Sequence, residues 1–242
     1  MHNLVIDIGN TRVKYGLFSS GVLVDKVVVD QLSLSDILQL ATNHRVENII
    51  YSSVSNWLAA PEAAILQNRY RIMELAATTP LPITLGYTTP ATLGKDRLAA
   101  VVGAWSCYPG QDCLVVDAGT CITTDFLRAD GHYLGGNIAP GIRLRLRAMH
   151  EFTARLPLVE PGTWTQNWGT STTTALQNGG WLGAALEIEA LAVRQQREWP
   201  DLKVLITGGD AEILAKRIEY KIFVHSNLVL LGLNKILTYN VE

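Results

Sequence analysis

Two stretches of this 242-residue chain share one chemical layout. VIDIGNTRVKYGLF and VVDAGTCITTDFL each read as an apolar strand, an aspartate, any residue, a glycine, a turn threonine and a returning strand, with Asp7 and Asp117 spaced 110 residues apart. A tight turn between two strands points successive backbone N–H groups into one concavity, and glycine lets an anion's oxygens approach without a side chain in the way. Such a turn binds phosphate, and two of them facing one another across a cleft would grip the β- and γ-phosphates of one nucleotide. One Asp-x-Gly after a strand arises easily by chance; two copies between apolar strands are an internal repeat of a supersecondary unit. In the first turn Asn10 and Thr11 offer further donors, and Lys14 on the returning strand supplies a point charge unless it is simply a solvated strand lysine. Asp7 and Asp117, at strand ends, are placed to hold hydrated Mg2+, to position a monovalent cation, or to cap the turn.

Gly94-Lys95-Asp96-Arg97 brings a glycine, a carboxylate and a guanidinium to the start of a helix. The commonest use of such an aspartate is as N-cap. The sharper reading sets the Asp96 carboxylate beside a hydroxyl that accepts a phosphoryl group, with Arg97 holding an anionic acceptor through a bidentate pair. Gly208-Gly209 follows a buried strand and is either a third close approach to a nucleotide, at its adenosine end, or an ordinary strand-to-helix turn.

The elements that must position these groups follow from apolar periodicity. Strands are expected at Leu4–Ile8, Val13–Phe18 and Leu23–Val29, then a helix from Ser35 to His44 capped by Ser33 or Ser35, a strand Val46–Tyr51, a helix from Pro61 to Asn68 and a strand Arg71–Leu75. A helix over Asp96–Trp105 carries small residues that allow close backbone approach, and strands Leu114–Val116 and Ile122–Leu127 flank the second turn. The Gly- and Pro-rich run from Gly135 to Gly141 reads as a connection, followed by a helix Ile142–Glu151 and an irregular stretch Leu156–Trp168. A long helix Thr173–Glu198 has a Gly179-Gly180 pair marking a kink or a close contact, and Val204–Ile206 begins the closing strand and helix.

With 48% hydrophobic and 17% charged residues the chain has the composition of a globular protein that buries a core, not a disordered one. The net charge of -2 gives no electrostatic basis for nucleic acid or an anionic membrane, so a small molecule is the expected partner. No stretch approaches the about 20 apolar residues a membrane span needs, and Asp7 interrupts the first apolar run before it resembles a secretory signal, so a cytoplasmic location is expected. Cys107, Cys113 and Cys121 have no metal-ligand spacing and read as reduced core thiols.

Asp7 to Lys14, Gly94 to Arg97 and Asp117 to Thr120 resemble, in order and spacing, the signatures of type III pantothenate kinases. Gly136 to Gly141 is similar to that family's second glycine-rich element and Thr172 to Gly179 to its substrate-side segment, so the likeness spans nearly the whole chain. The resemblance implies a duplicated actin-like, ribonuclease H-like α/β ATPase fold, two lobes at residues 1–110 and 111–242 with mixed sheets, flanking helices and ATP in the cleft. It implies transfer of the γ-phosphoryl of ATP to the primary hydroxyl of pantothenate, the first step toward coenzyme A. Carried over by position, Asp7, Ile8, Gly9, Asn10, Thr11, Arg12, Val13 and Lys14 form the first phosphate loop, and Thr120 contacts ATP from the second. Asp117 holds a monovalent cation, K+ or NH4+, while Mg2+ accompanies ATP. Asp96 is the catalytic base; Gly94, Lys95, Asp96, Arg97, Tyr87 and Thr172 meet pantothenate. The sequence departs from the family's usual pattern at Lys95, where a small residue is commoner, and at Ser171, where an asparagine precedes the threonine. A homodimer is implied, with Trp181, Leu182, Leu186 and Leu191 of the long helix available for its interface or for core packing. The same phosphate loops would serve a sugar or amino-sugar kinase of this fold, or a non-catalytic nucleotide-binding regulator.

Overall fold

The computed structural model describes residues 1–9, 12–53, 60–163 and 167–242. The chain divides into two compact units, one of residues 1–109, 131–133 and 227–242, the other of residues 110–130 and 134–226.

The first unit opens with an antiparallel meander of β1 (His2–Ile8), β2 (Val13–Ser19) and β3 (Val22–Val29). Ser20 and Gly21 join β2 to β3 with φ of 49° and 82°, the doubly left-handed pattern of a two-residue hairpin turn that matches strand twist. Then follow α1 (Leu34–Asn43), β4 (Asn48–Ser53), α2 (Ala60–Gln67), β5 (Arg71–Glu74), the short β6 (Thr84–Leu85) and α3 (Lys95–Cys107). Ser33 caps α1 in a reciprocal box: its hydroxyl accepts from the Asp36 N–H at 3.2 Å, and the Asp36 carboxylate accepts from the Ser33 N–H at 2.9 Å. β4 lies parallel to β1 and β5 parallel to β4, giving the order β3-β2-β1-β4-β5. Leu4, Val5 and Ile6 are all fully buried, as expected of a strand covered on both faces.

The second unit contains β7 (Cys113–Ala118), β8 (Cys121–Leu127), most of β9 (His132–Pro140), α4 (Ile142–Glu151), α5 (Thr172–Gln196), β10 (Lys203–Thr207), α6 (Ala211–Ala215) and β11 (Ile222–Val224). β7 is antiparallel to β8 and parallel to β10, and β10 is parallel to β11. Its strands run β9-β8-β7-β10-β11, with an antiparallel neighbour on one side of β7 and a parallel one on the other, as β2 and β4 flank β1. Leu114, Val116, Ile142, Leu146, Trp181, Ile188 and Ile206 form its core between the sheet, α4 and α5.

The sequence reading placed α7 (Leu228–Val241) with the second lobe, but it belongs to the first unit, packed on α3, β1 and β4. Glycines set that contact: a Cβ at Gly232 would overlap the Ala99 carbonyl oxygen, and one at Gly103 would overlap that of Leu228. Beneath it, Asn48 Nδ2 donates to Asn3 Oδ1 at 3.0 Å and Asn3 Nδ2 to Asn234 Oδ1 at 2.9 Å, joining β4, β1 and α7 through buried amides that leave each other paired.

One expectation about the strands is corrected. The run from Gly135 is strand β9 rather than a connection, with Gly135 at φ 117° supplying a conformation that side-chain-bearing residues rarely adopt. Of the two readings of Gly179-Gly180 the packing one fits: both lie within a single 25-residue helix, and a Cβ added at Gly180 would lie 3.6 and 3.5 Å from Ile142 and Leu146 of α4. All three cysteines are free, yet only Cys113 is buried; Cys107 and Cys121 are partly exposed. Among the described residues no helix is long and apolar enough to cross a membrane.

Candidate active site

Asp7 stands directly opposite Lys14 in the β1–β2 pair, so the two side chains share one face of the sheet. The Gly9 N–H donates to the Arg12 carbonyl at 3.1 Å, closing the turn between buried Ile8 and Val13. Arg12 is exposed, its Nε 4.0 Å from the Asp30 carboxylate. Asn10 and Thr11 lie outside the described residues.

The chemistry-bearing side chains of the first unit gather at the start of α3. Gly94, not Asp96, is the N-cap: its carbonyl accepts from the Leu98 N–H at 3.1 Å. The expected capping role of Asp96 is thereby overturned, because the residue sits inside the first turn, with its Oδ1 accepting from the neighbouring Arg97 N–H at 2.8 Å. A Cβ at residue 94 would lie 2.6 Å from Asp96 Oδ1, so a side chain there would displace the carboxylate. The Asp96 side chain is exposed, and the N-terminal end of the helix dipole favours its negative charge.

Arg97 points the other way and is only 5% exposed. Its Nη2 donates to Tyr133 Oη at 3.2 Å and its guanidinium carbon lies 5.8 Å from the centroid of the Tyr87 ring. Tyr87 and Tyr133 stack with centroids 6.1 Å apart and planes 14° from parallel. The Gly86 N–H fixes this wall by donating to the Tyr133 carbonyl at 2.8 Å, and β6 pairs with the start of β9 through Leu85 and Tyr133. A buried guanidinium over an aromatic face retains its charge, and its planar fork matches a carboxylate.

Lys95 is engaged elsewhere. Its Nζ donates to Glu74 Oε1 at 2.7 Å, while Glu74 Oε2 accepts from Tyr51 Oη at 3.0 Å. The Lys95 hydrogen bond holds the Glu74 carboxyl below its ordinary range; burial, then Glu74, pushes the Tyr51 phenol up to about 12. Sequence reasoning found neither Tyr133 nor the Glu74–Tyr51 pair. Tyr133 lies between the expected strand Ile122–Leu127 and the run from Gly135, where no element is expected, and nothing in a sequence links residues 51, 74 and 95.

In the second unit Asp117 precedes a turn in which the Gly119 N–H donates to the Cys121 carbonyl at 3.0 Å and Thr120 is exposed. Backbone encloses this turn. The Gly141 N–H donates to the Thr120 carbonyl at 3.0 Å, and a Cβ at Gly141 would overlap the Gly119 carbonyl oxygen. Gly208 has φ 98°, and a Cβ there would overlap the Ala118 carbonyl oxygen and lie 2.5 Å from Asp117 Oδ1. Asp117 Oδ1 is thus set between Gly119 and Gly208, in a cradle that any side chain at 208 would fill. A single carboxylate with carbonyl oxygens close by is a donor set suited to a hard cation of low charge. Among the described residues no group of three or more His, Cys, Asp or Glu is placed to hold a metal. Asp210 is half-buried; burial raises its pKa against the opposing effect of Arg143. Thr172 is the exposed first residue of α5, behind Ser171, whose hydroxyl accepts from the Thr174 N–H at 3.2 Å and caps the helix. Serine thus supplies the N-cap oxygen that an asparagine would also provide.

A family model described as type III pantothenate kinase matches residues 3–194. The chain belongs to the type III pantothenate kinase family. It is 41% identical over 238 residues to a type III pantothenate kinase of Phocaeicola vulgatus, covering 98% of both chains. A type III pantothenate kinase of Porphyromonas gingivalis is 40% identical over 242 residues, covering 99% of each. Among solved structures a ROK family glucokinase from Streptomyces griseus, in complex with glucose and AMPPNP, aligns with a TM-score of 0.56 at 11% identity, covering 99% of this chain and 100% of that one. That likeness is one of fold: two mixed sheets flanked by helices in the arrangement of actin-like ATPase-fold kinases. The family membership comes from the sequence matches.

Proposed function

We infer that the chain phosphorylates the primary hydroxyl of pantothenate with ATP and Mg2+, giving 4'-phosphopantothenate at the entry to coenzyme A biosynthesis. Of the structural observations, the one that most supports this reading is the start of α3, where an exposed carboxylate, Asp96, adjoins a buried guanidinium, Arg97, walled by Tyr87 and Tyr133. Pantothenate carries both a hydroxyl to be phosphorylated and a carboxylate to be held. Asp96 accepts a hydrogen bond from that hydroxyl and takes its proton late, as the new P–O bond forms, because an alcohol does not ionise near neutral pH. Arg97 binds the carboxylate, Gly94 lets the acceptor approach the helix start, and Tyr87 lines the pocket; Thr172 is assigned to pantothenate by its place in the family's substrate-side segment.

Phosphoryl transfer demands little covalent chemistry of the protein, so alignment and charge neutralisation do most of the work. Asp7 to Lys14 are proposed as a phosphate site, with Lys14 as the point charge, and Thr120 as an ATP contact from the second loop. Asp117 is proposed to hold K+ or NH4+ in the cradle formed by Gly119 and Gly208. A homodimer is also proposed. Of the four residues named for its interface or for core packing Leu186 is exposed, at 54%; Trp181 is core, and Leu182 and Leu191 are partly buried against it. Leu191, Val193 and Arg194 line a groove of about 660 Å3 beside β8 and β9 that extends the exposed face of α5.

The test is ADP release by the purified protein with ATP, Mg2+ and K+, offered pantothenate and, separately, a panel of sugars and amino sugars. Turnover is expected with pantothenate and should fall when Na+ replaces K+. Turnover on sugars alone would move the assignment to a sugar kinase, and none on any acceptor would leave a nucleotide-binding regulator.

A further inference from the structure

Lys95 occupies an awkward place. It is the first residue of α3, where the positive end of the helix dipole disfavours a cation, and it immediately precedes Asp96. Its flexible four-carbon stem would let the ammonium seek the nearest carboxylate, and on α3 that is the exposed Asp96. The structure instead shows the ammonium on Glu74, the last residue of β5, whose second oxygen is held by Tyr51 of β4. Parallel pairing of β4 with β5 sets Tyr51 opposite Glu74, so the carboxylate is oriented by the sheet before it meets the lysine.

We propose that Glu74 is a positioning residue for Asp96: oriented by Tyr51, it sequesters the Lys95 ammonium, so that the cation neither pairs with the base nor captures the carboxylate of the incoming substrate. The inference rests on Asp96 being the base of the pantothenate kinase reaction, and it removes Lys95 from the direct substrate contacts. Side-chain exposures of 31% for Lys95 and 47% for Glu74 make the pair itself a weak contributor to stability, so the consequence of losing it is catalytic rather than structural.

Glu74→Gln keeps the shape and the Tyr51 contact while removing the charge. The melting temperature should stay within about 3 °C of the parent. In steady-state assays kcat should drop about 10-fold, short of the 10²- to 10⁴-fold expected for complete loss of a general base, while KM for ATP stays within about twofold. The second variant, Glu74→Gln with Lys95→Met, removes the released cation and should recover at least about fivefold of that loss. A crystal structure of Glu74→Gln should show Lys95 Nζ within hydrogen-bonding reach of the Asp96 carboxylate. The proposal is overturned if Glu74→Gln turns over within twofold of the parent, or if the double variant is no faster than the single one, the result expected of a plain structural anchor. A parent enzyme that fails on pantothenate would instead condemn the functional reading. In that event the position of Lys95 in the Glu74→Gln crystal still decides whether Glu74 restrains it, and a lysine left in place would refute the idea.

Discussion

The two strand–turn–strand copies differ by one residue, and that residue changes their chemistry. In the first, Ile8 pairs with Val13 across four intervening residues, and Lys14 stands opposite Asp7. In the second, Ala118 pairs with Ile122 across three residues, and Thr123 stands opposite Asp117. One copy therefore sets a carboxylate opposite a cation, the other a carboxylate opposite a hydroxyl-bearing residue. Their surroundings differ as well: the second turn is enclosed by the backbone at Gly141 and Gly208, whereas among the described residues a Cβ at Gly9 would meet the Arg12 carbonyl alone, at 3.4 Å. The same sheet order occurs twice, and small local changes give the two turns different lengths, cross-strand neighbours and surroundings.

The largest expected effect separates the units by what their helices carry. Asp96→Asn should lower kcat by at least about 100-fold while leaving nucleotide affinity, measured by calorimetry, within a few-fold. A variant near normal turnover would end the assignment of chemistry to α3. Next, Lys14→Met is expected to reduce kcat/KM about 100-fold, in line with loss of one transition-state charge partner, whereas Thr123→Val at the matching register position should change it less than about 10-fold. Equal losses would mean that the two loops are interchangeable. Enclosure is tested by urea unfolding: Gly208→Ala should cost more than about 2 kcal/mol through backbone overlap and a left-handed φ, against less than about 1 kcal/mol for Gly9→Ala. The smallest effect compares the two capping boxes. Ser171→Ala should cost about 1 kcal/mol. In the first unit the Ser33 hydrogen bonds lower the Asp36 pKa in the folded state, so their stabilisation is present above the ordinary aspartate range and lost as pH falls through it. Ser33→Ala should flatten that acid limb in melts collected across acidic pH.

Much of this was legible in the sequence, for physical reasons. The repeat was visible because strand, Asp, Gly and turn residues are local signals, and the meander, α1 and α4 follow from short-range periodicity and capping. What escaped depends on contacts distant in sequence. β9 was hidden because its glycines mimic a connection, and Tyr133 with it. The choice between cap and acceptor-side carboxylate stays open for Asp96 in sequence, because an aspartate beside a glycine at a helix start satisfies either role until the hydrogen bond of the Gly94 carbonyl is seen. The pairing of Lys95 with Glu74 required knowing that β5 ends near α3.

The meeting of α7 with α3 carries a consequence for how the protein is made. The helix that bears Asp96 and Arg97 packs against a segment translated only after the whole of the second unit. The first unit cannot finish its core in the order of synthesis, so a nascent chain stalled before residue 228 should expose the apolar face of α3 to chaperones and proteases.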